Sequence, residues 1–200
     1  MSAGRGRVES RGDVPQRSDA QRNRERILEV ALVELTRSPD AALSAIAKKA
    51  CVGQGTFYRN FPNREALVLE IYRHEVQQLV DSAAQLLRTR EPDQALREWM
   101  DGVARFAIAK AGLADALRQA TSATGSPAKQ GYASLLAAME LLLDANHEAG
   151  VIRPDVTADD FVLAIAGVWQ IDPHGDWQSQ TARLLDLIMD GLRTGAPGRR

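Results

Sequence analysis

Cysteine is nearly absent: Cys51 is the only one in 200 residues, which rules out an intrachain disulfide framework and a multi-cysteine zinc site. Histidine is scarce too, and His74, His147 and His174 fall in three separate segments. Glu70 and His74 share an i, i+4 spacing, but two ligands make no metal site and an ion pair accounts for them. His174 stands between Asp172 and Asp176, where turn formation and helix capping are sufficient roles. No metal and no cofactor is expected. Long apolar runs are missing as well. The densest, 135–143, is interrupted by Glu140 and falls well short of the roughly 20 residues that span a bilayer. The first 13 residues are rich in Arg, Gly and Ser and hold nothing like the apolar core of a signal peptide, so a cytoplasmic chain without membrane contact is expected. No nucleophile, base and electrophile can be grouped, which argues against an enzyme.

What the chain does have is helical periodicity. Hydrophobic residues make up 44% and charged residues 26%, enough for a compact core in one large or two small domains. Alternating strand patterns are absent, whereas apolar residues recur at helical spacing in segment after segment. The expected fold is all-α, with about nine helices over 19–36, 42–49, 53–59, 64–88, 93–110, 113–122, 126–150, 158–170 and 177–194. Ser38-Pro39-Asp40, Phe61-Pro62-Asn63, Glu91-Pro92-Asp93, Ser126-Pro127 and Arg153-Pro154-Asp155 punctuate them. Gly150 is a candidate left-handed cap. The net charge of −1 hides an imbalance: residues 1–64 carry twelve Arg and Lys against seven Asp and Glu, and the remainder is acidic. Contact with a polyanion, if there is one, belongs to the first third.

Two short helices between Leu43 and Phe61 are separated by only Ala50, Cys51, Val52 and Gly53, the geometry of a helix-turn-helix. Leu43, Ile46, Ala47, Val52, Phe57 and Phe61 are spaced to pack on Ile27, Ala31 and Leu35. That leaves Gln54, Gly55, Thr56, Tyr58, Arg59 and Asn60 facing outward on the second helix, a donor-rich set around one glycine. A helix enters the major groove of DNA closely only if its leading turn is slim, and Gly55 with Thr56 provides this. Gln54 and Arg59 can address base edges, Tyr58 can donate to a phosphate, and Arg64 can clamp the backbone with its donor fork. Each residue also has a plainer role: Gly55 as a weak helix former, Tyr58 as a packing residue, Arg59 and Arg64 as solvated charges. Six such positions after one tight turn favour DNA reading.

Here a resemblance becomes specific. Arg26-Ile27-Leu28-Glu29-Val30-Ala31, Ile46-Ala47 and the run from Val52 to Leu67 closely resemble the N-terminal domain of tetracycline-repressor (TetR) family regulators, over about 45 residues. The resemblance implies that the second short helix is the recognition helix and that Arg64 contacts phosphate. It also implies a homodimeric repressor, released from a double-stranded operator by a small-molecule effector. The sequence departs from the family pattern at Cys51, where the turn usually has glycine, at Gly53 in place of a serine cap, and at Ala41-Ala42 in place of hydroxyl residues. Either Cys51 takes an unusual backbone angle or the turn is reshaped.

The expected organisation is a disordered basic tail (1–17), a DNA-binding domain (18–65), a helical effector-binding and dimerisation domain (66–195) and a short C-terminal tail (196–200). Arg5, Arg7, Arg11 and Arg17 could serve as a minor-groove arm or simply as a solubilising segment. Candidate pocket residues are Trp99, Met100, Val103, Phe106, Leu117, Tyr132, Leu136, Met139 and Leu143, although Met and aromatic residues at this spacing also read as core. The candidate dimer interface is half of a four-helix bundle, with Phe161, Val162, Ile165, Val168, Trp169, Leu184, Leu185, Leu187, Ile188 and Leu192. The competing reading is a helical DNA-binding or protein-interaction module that senses no ligand.

Overall fold

A computed structural model describes the backbone of residues 14–124 and 127–198, and the side chains of these except 14–18, 110–112 and 114–130. Among the described residues every regular element is helical. α1 (Val14–Arg37) starts earlier than expected, so residues 14–17 extend the helix instead of belonging to the tail, with Pro15 in the first turn, where its missing N–H costs nothing. α2 (Leu43–Lys49) and α3 (Gln54–Asn60) follow, then α4 (Arg64–Thr89), whose first turn is capped by Asn63: its Oδ1 accepts from the Ala66 N–H at 2.8 Å.

α5 (Pro92–Thr124) replaces the two helices expected over 93–110 and 113–122. One glycine, Gly112, costs a helix only about 1 kcal/mol relative to alanine. Burial of Phe106, Ala107 and Leu113 on either side outweighs that and carries the helix through. α6 (Pro127–Glu148) ends in a Schellman motif: Gly150 is left-handed (φ 65°), its N–H reaches the His147 carbonyl, and the Val151 N–H reaches that of Asn146. The proposed cap Ser126 lies outside the described residues. α7 (Ala158–Ile165) opens with a Thr157/Asp160 capping box and tightens into a 3-10 turn over 166–170, where Gly167 passes close to Leu184 of α8 (Trp177–Arg193).

Two hydrophobic clusters hold these helices. The first joins Ile27, Ala31 and Leu35 of α1, Ile46 and Ala47 of α2, Phe57 and Phe61, and Leu67, Val68 and Ile71 of α4, with Leu113 reaching in from α5. The second joins the rest of α4, from Val76 to Ala83, with α5 to α8. α4 is therefore common to both. The boundary expected between residues 65 and 66 falls in its first turn, ahead of three residues of the first cluster.

Candidate nucleic-acid interface

The α2–α3 turn is short because α2 closes on itself. The Cys51 N–H bonds the Lys48 carbonyl and the Val52 N–H bonds the Ala47 carbonyl, at 3.1 and 3.0 Å. This pattern puts Cys51 at the left-handed position of a Schellman motif, with φ 53°. The departure from glycine thus leaves the turn intact and strains one residue. Neither Ala42 nor Gly53 offers a capping side chain to the helix it precedes. Phe57 and Phe61 anchor α3 in the first cluster, fully buried, so the opposite side of the helix is turned outward.

On that outer side Gln54, Gly55, Tyr58, Arg59 and Asn60 are exposed and Thr56 is half-buried. Gln54 and the Tyr58 hydroxyl have no hydrogen-bond partner among the described residues, and a β-carbon at Gly55 would meet nothing within 4 Å. Arg59 folds back on its own helix, donating to the Gly55 carbonyl and the Thr56 hydroxyl, each at 3.2 Å. Asn60 is held inside the domain: its Nδ2 donates to the Thr56 carbonyl at 2.9 Å and its Oδ1 accepts from Arg24 at 3.5 Å.

Arg64 departs from its expected role as a phosphate clamp. Its Nη1 and Nη2 donate to the carbonyls of Pro39 and Ala41, both at 2.5 Å, tying the start of α4 to the α1–α2 loop. The fork is occupied because the Ser38-Pro39-Asp40 break leaves these carbonyls without helical partners. Two residues missed by the sequence reading enter here. Lys48 is exposed at the end of α2, next to α3. Arg24 of α1 braces the end of α3, with its guanidinium 4.9 Å from the Phe61 ring and an ion pair to Glu70 of α4 at 2.6 Å. Burial alone pushes the Glu70 carboxyl up, but hydrogen bonds from Arg73 and Arg24 outweigh it and hold the group below the usual glutamate value. Glu70 is therefore not paired with His74, whose ring lies 2.8 Å from Gln78. In the chain's later loop, the Asp172 carboxylate accepts from the His174 N–H and Asp176 caps α8. Arg5, Arg7 and Arg11 of the candidate minor-groove arm, and the side chain of Arg17, lie outside the described residues.

A cleft of about 720 Å³ opens between α4 and α5. Its walls are two helical stripes, Glu75, Gln78, Leu79, Ser82, Gln85 and Leu86 facing Glu98, Asp101, Gly102, Arg105, Phe106 and Ala109, with Leu32 of α1 at the Glu75 end. Of the expected pocket residues whose side chains are described, only Phe106 lines it. Trp99, Met100, Val103, Met139 and Leu143 pack in the second cluster, Leu136 is half-buried, Tyr132 is exposed, and the Leu117 side chain lies outside the description. The apolar stripe of α5 faces the core, while its charged stripe faces the cleft. The candidate dimer face needs a similar correction. Phe161, Ile165, Val168, Leu185 and Leu192 belong to the chain's own core; Val162, Leu184 and Ile188 are half-buried; Leu187 and Trp169 are exposed. Trp169 sits edge-on to Phe106, with ring centres 5.9 Å apart. Leu163, exposed at 74%, was not foreseen and lies beyond α8's Leu187, exposed at 70%, as the most exposed large apolar residue described.

Comparison with known proteins bears on both halves of the chain. Residues 27–71 match the family model for bacterial regulatory proteins of the tetR family, and residues 91–194 match that for the SbtR-like transcriptional regulator C-terminal domain. No curated protein matches. Among solved structures, a TetR transcriptional regulator from Streptomyces coelicolor is 42% identical with a TM-score of 0.79, over 85% of this chain and 98% of that one. A TetR transcription regulatory protein from Mycobacterium vanbaalenii is 34% identical with a TM-score of 0.73, over 90% of this chain and 99% of that one. FadR from Bacillus subtilis, crystallised with stearoyl-CoA, shares the fold at 17% identity and a TM-score of 0.56, over 84% of this chain and 98% of that one.

Proposed function

The chain belongs to the tetR family of bacterial regulatory proteins and is a DNA-binding transcriptional regulator, and from that premise we propose that it is a homodimeric repressor released from its operator by a small molecule. The exposed face of α3 is the reading surface in this proposal. One observation carries it: Gln54, Gly55 and Tyr58 point outward without an internal partner, and the glycine has no steric reason within the chain. A helix keeps such a costly residue where another surface must come close. Gln54, and Arg59 once its weak contacts to its own helix are exchanged, read base edges. Tyr58 and Lys48 hold phosphates, while Thr56 stands between the two sets. Asn60 and Arg64 act by fixing the domain around α3.

Reading two half-sites requires a two-fold dimer with recognition helices about 34–36 Å apart, or a multiple of this. The exposed Leu163 of α7 and Leu187 of α8, together with the half-buried Val162, Leu184 and Ile188, supply apolar surface for such a partner. A ligand that favours another separation of the helices would lower operator affinity by shifting the population. The test is fluorescence anisotropy on duplexes from the DNA flanking the chain's own gene, read over a salt series. Tight, salt-dependent binding is expected, with Gln54→Ala costing about 1–3 kcal/mol at a single base position and Tyr58→Phe weakening all sequences alike. No binding even at low salt would refute the reading.

A further inference from the structure

We propose that the α4–α5 cleft is the effector site, and that it takes a small amphiphilic ammonium compound whose N–H groups donate to Glu75 and whose apolar body lies along Leu32, Leu79 and Phe106. The regulatory consequence rests on the repressor reading above, while the ligand chemistry stands on the cleft alone.

Three carboxylates face the cleft, and two already have cations. Glu98 is paired with Arg90 at 2.7 Å and Asp101 with Arg97 at 2.6 Å. Glu75 is half-buried, yet among the described residues no group donates to it and no cation pairs with it. A carboxylate withdrawn from water without a donor is a standing energetic cost. Burial pushes its carboxyl up first of all; His74 on the same helix opposes this, and the carboxylate of Glu29 on α1 adds to it. Among the described residues the Glu75 carboxylate thus has neither a paired cation nor a hydrogen-bond donor of its own, and an ammonium supplies both where an alcohol supplies only the second. An anion would meet three carboxylates, and the one lining cation among the described residues, Arg105, is exposed, where water screens it.

The position of this end accounts for regulation. Leu32 packs on the first hydrophobic cluster and Phe106 belongs to the second, so Glu75 sits at the seam between them. A second void, of about 10 Å³, lies between Leu32, Tyr72, Glu75 and Leu113, so packing is incomplete where the clusters meet. An apolar group wedged there would shift α1 against α5, and α1 is linked through Arg24 to Asn60 at the end of α3 and to Glu70.

Calorimetry on the whole chain with 4-phenylbutylammonium, and with 4-phenylbutyrate and 4-phenylbutan-1-ol as matched anionic and neutral probes, tests the assignment. The ammonium is expected to bind at least tenfold more tightly than either analogue. Glu75→Gln should abolish that margin, and Glu140→Gln, which removes an exposed carboxylate on α6 outside the cleft, should keep it. Equal binding of ammonium and alcohol to the unaltered chain overturns the proposal whether or not the variants fold, and so does an undiminished margin in Glu75→Gln. At a saturating concentration the ammonium should weaken operator binding at least tenfold; tight binding with operator affinity unchanged overturns the cleft as the effector site. Failure to bind DNA at all would instead refute the repressor reading, and the calorimetry would be unaffected.

Discussion

Gly55 occupies the second position of α3 with open space where its side chain would be. Alanine there should stabilise the isolated chain by a few tenths to about 1 kcal/mol, because the helix gains and nothing clashes. On operator DNA the same methyl group would stand between α3 and the groove floor. Gly55→Ala is therefore expected to raise the melting temperature and lower operator affinity; parallel gains in both would remove Gly55 from the reading face. Glu75 makes an opposite kind of pair with its surroundings. Its carboxyl titrates above the usual value of 4.5 in the fold, chiefly through burial, so it favours the folded state only below that value and loses this as pH rises through the raised one. Glu75→Gln should therefore melt higher than the unaltered chain at pH 7.5 and no higher below about pH 4, where both side chains are neutral. Such pairings are poorly legible in a sequence. The outward residues of α3 could be counted from the buried phenylalanines, but nothing around Arg64 announces that two carbonyls 23 and 25 positions earlier would claim its donors.

At the scale of the element, local grammar carried most of the fold. Proline breaks, Asn63 and Gly150 set the helix ends because caps depend on neighbours in the chain. The reading failed where tertiary packing overrode that grammar, as at Gly112, where buried residues on either side keep α5 continuous. It failed at the cleft for another reason: stripes of Glu, Gln and Arg at helical spacing look the same whether they face bulk water or each other. The turn between α2 and α3 yields its own expectation. A residue other than glycine in the left-handed region costs about 1–2 kcal/mol, while glycine adds about 0.5–1 kcal/mol of unfolded-chain entropy. Cys51→Gly should then stabilise the chain by about 0.5–1 kcal/mol, a rise of about 2 °C in thermal melting at this size. A lower melting temperature would mean that Cys51 makes a contribution beyond its backbone angle.

For the molecule as a whole, the proposed dimer rests on the exposed leucines of α7 and α8. Leu187→Asp would place a charge in the centre of the proposed bundle and is expected to give a monomer by light scattering, with operator binding reduced at least a hundredfold and helix content kept. A dimer that survives this substitution would move the interface elsewhere. The sequence could identify α7 and α8 as apolar but not divide their residues between core and partner, since both surfaces are hydrophobic at one period; Leu163 and Leu185 differ only in what the remaining helices cover. The sharing of α4 by both clusters bears on how such regulators can be recombined. A hybrid that borrows the reading head of this chain and splices it at residue 65 would leave Leu67, Val68 and Ile71 behind and graft a head without its floor. The join belongs past Tyr72, inside the helix, and the donor and recipient would have to agree on the angular phase of that helix for the transplanted head to face its groove.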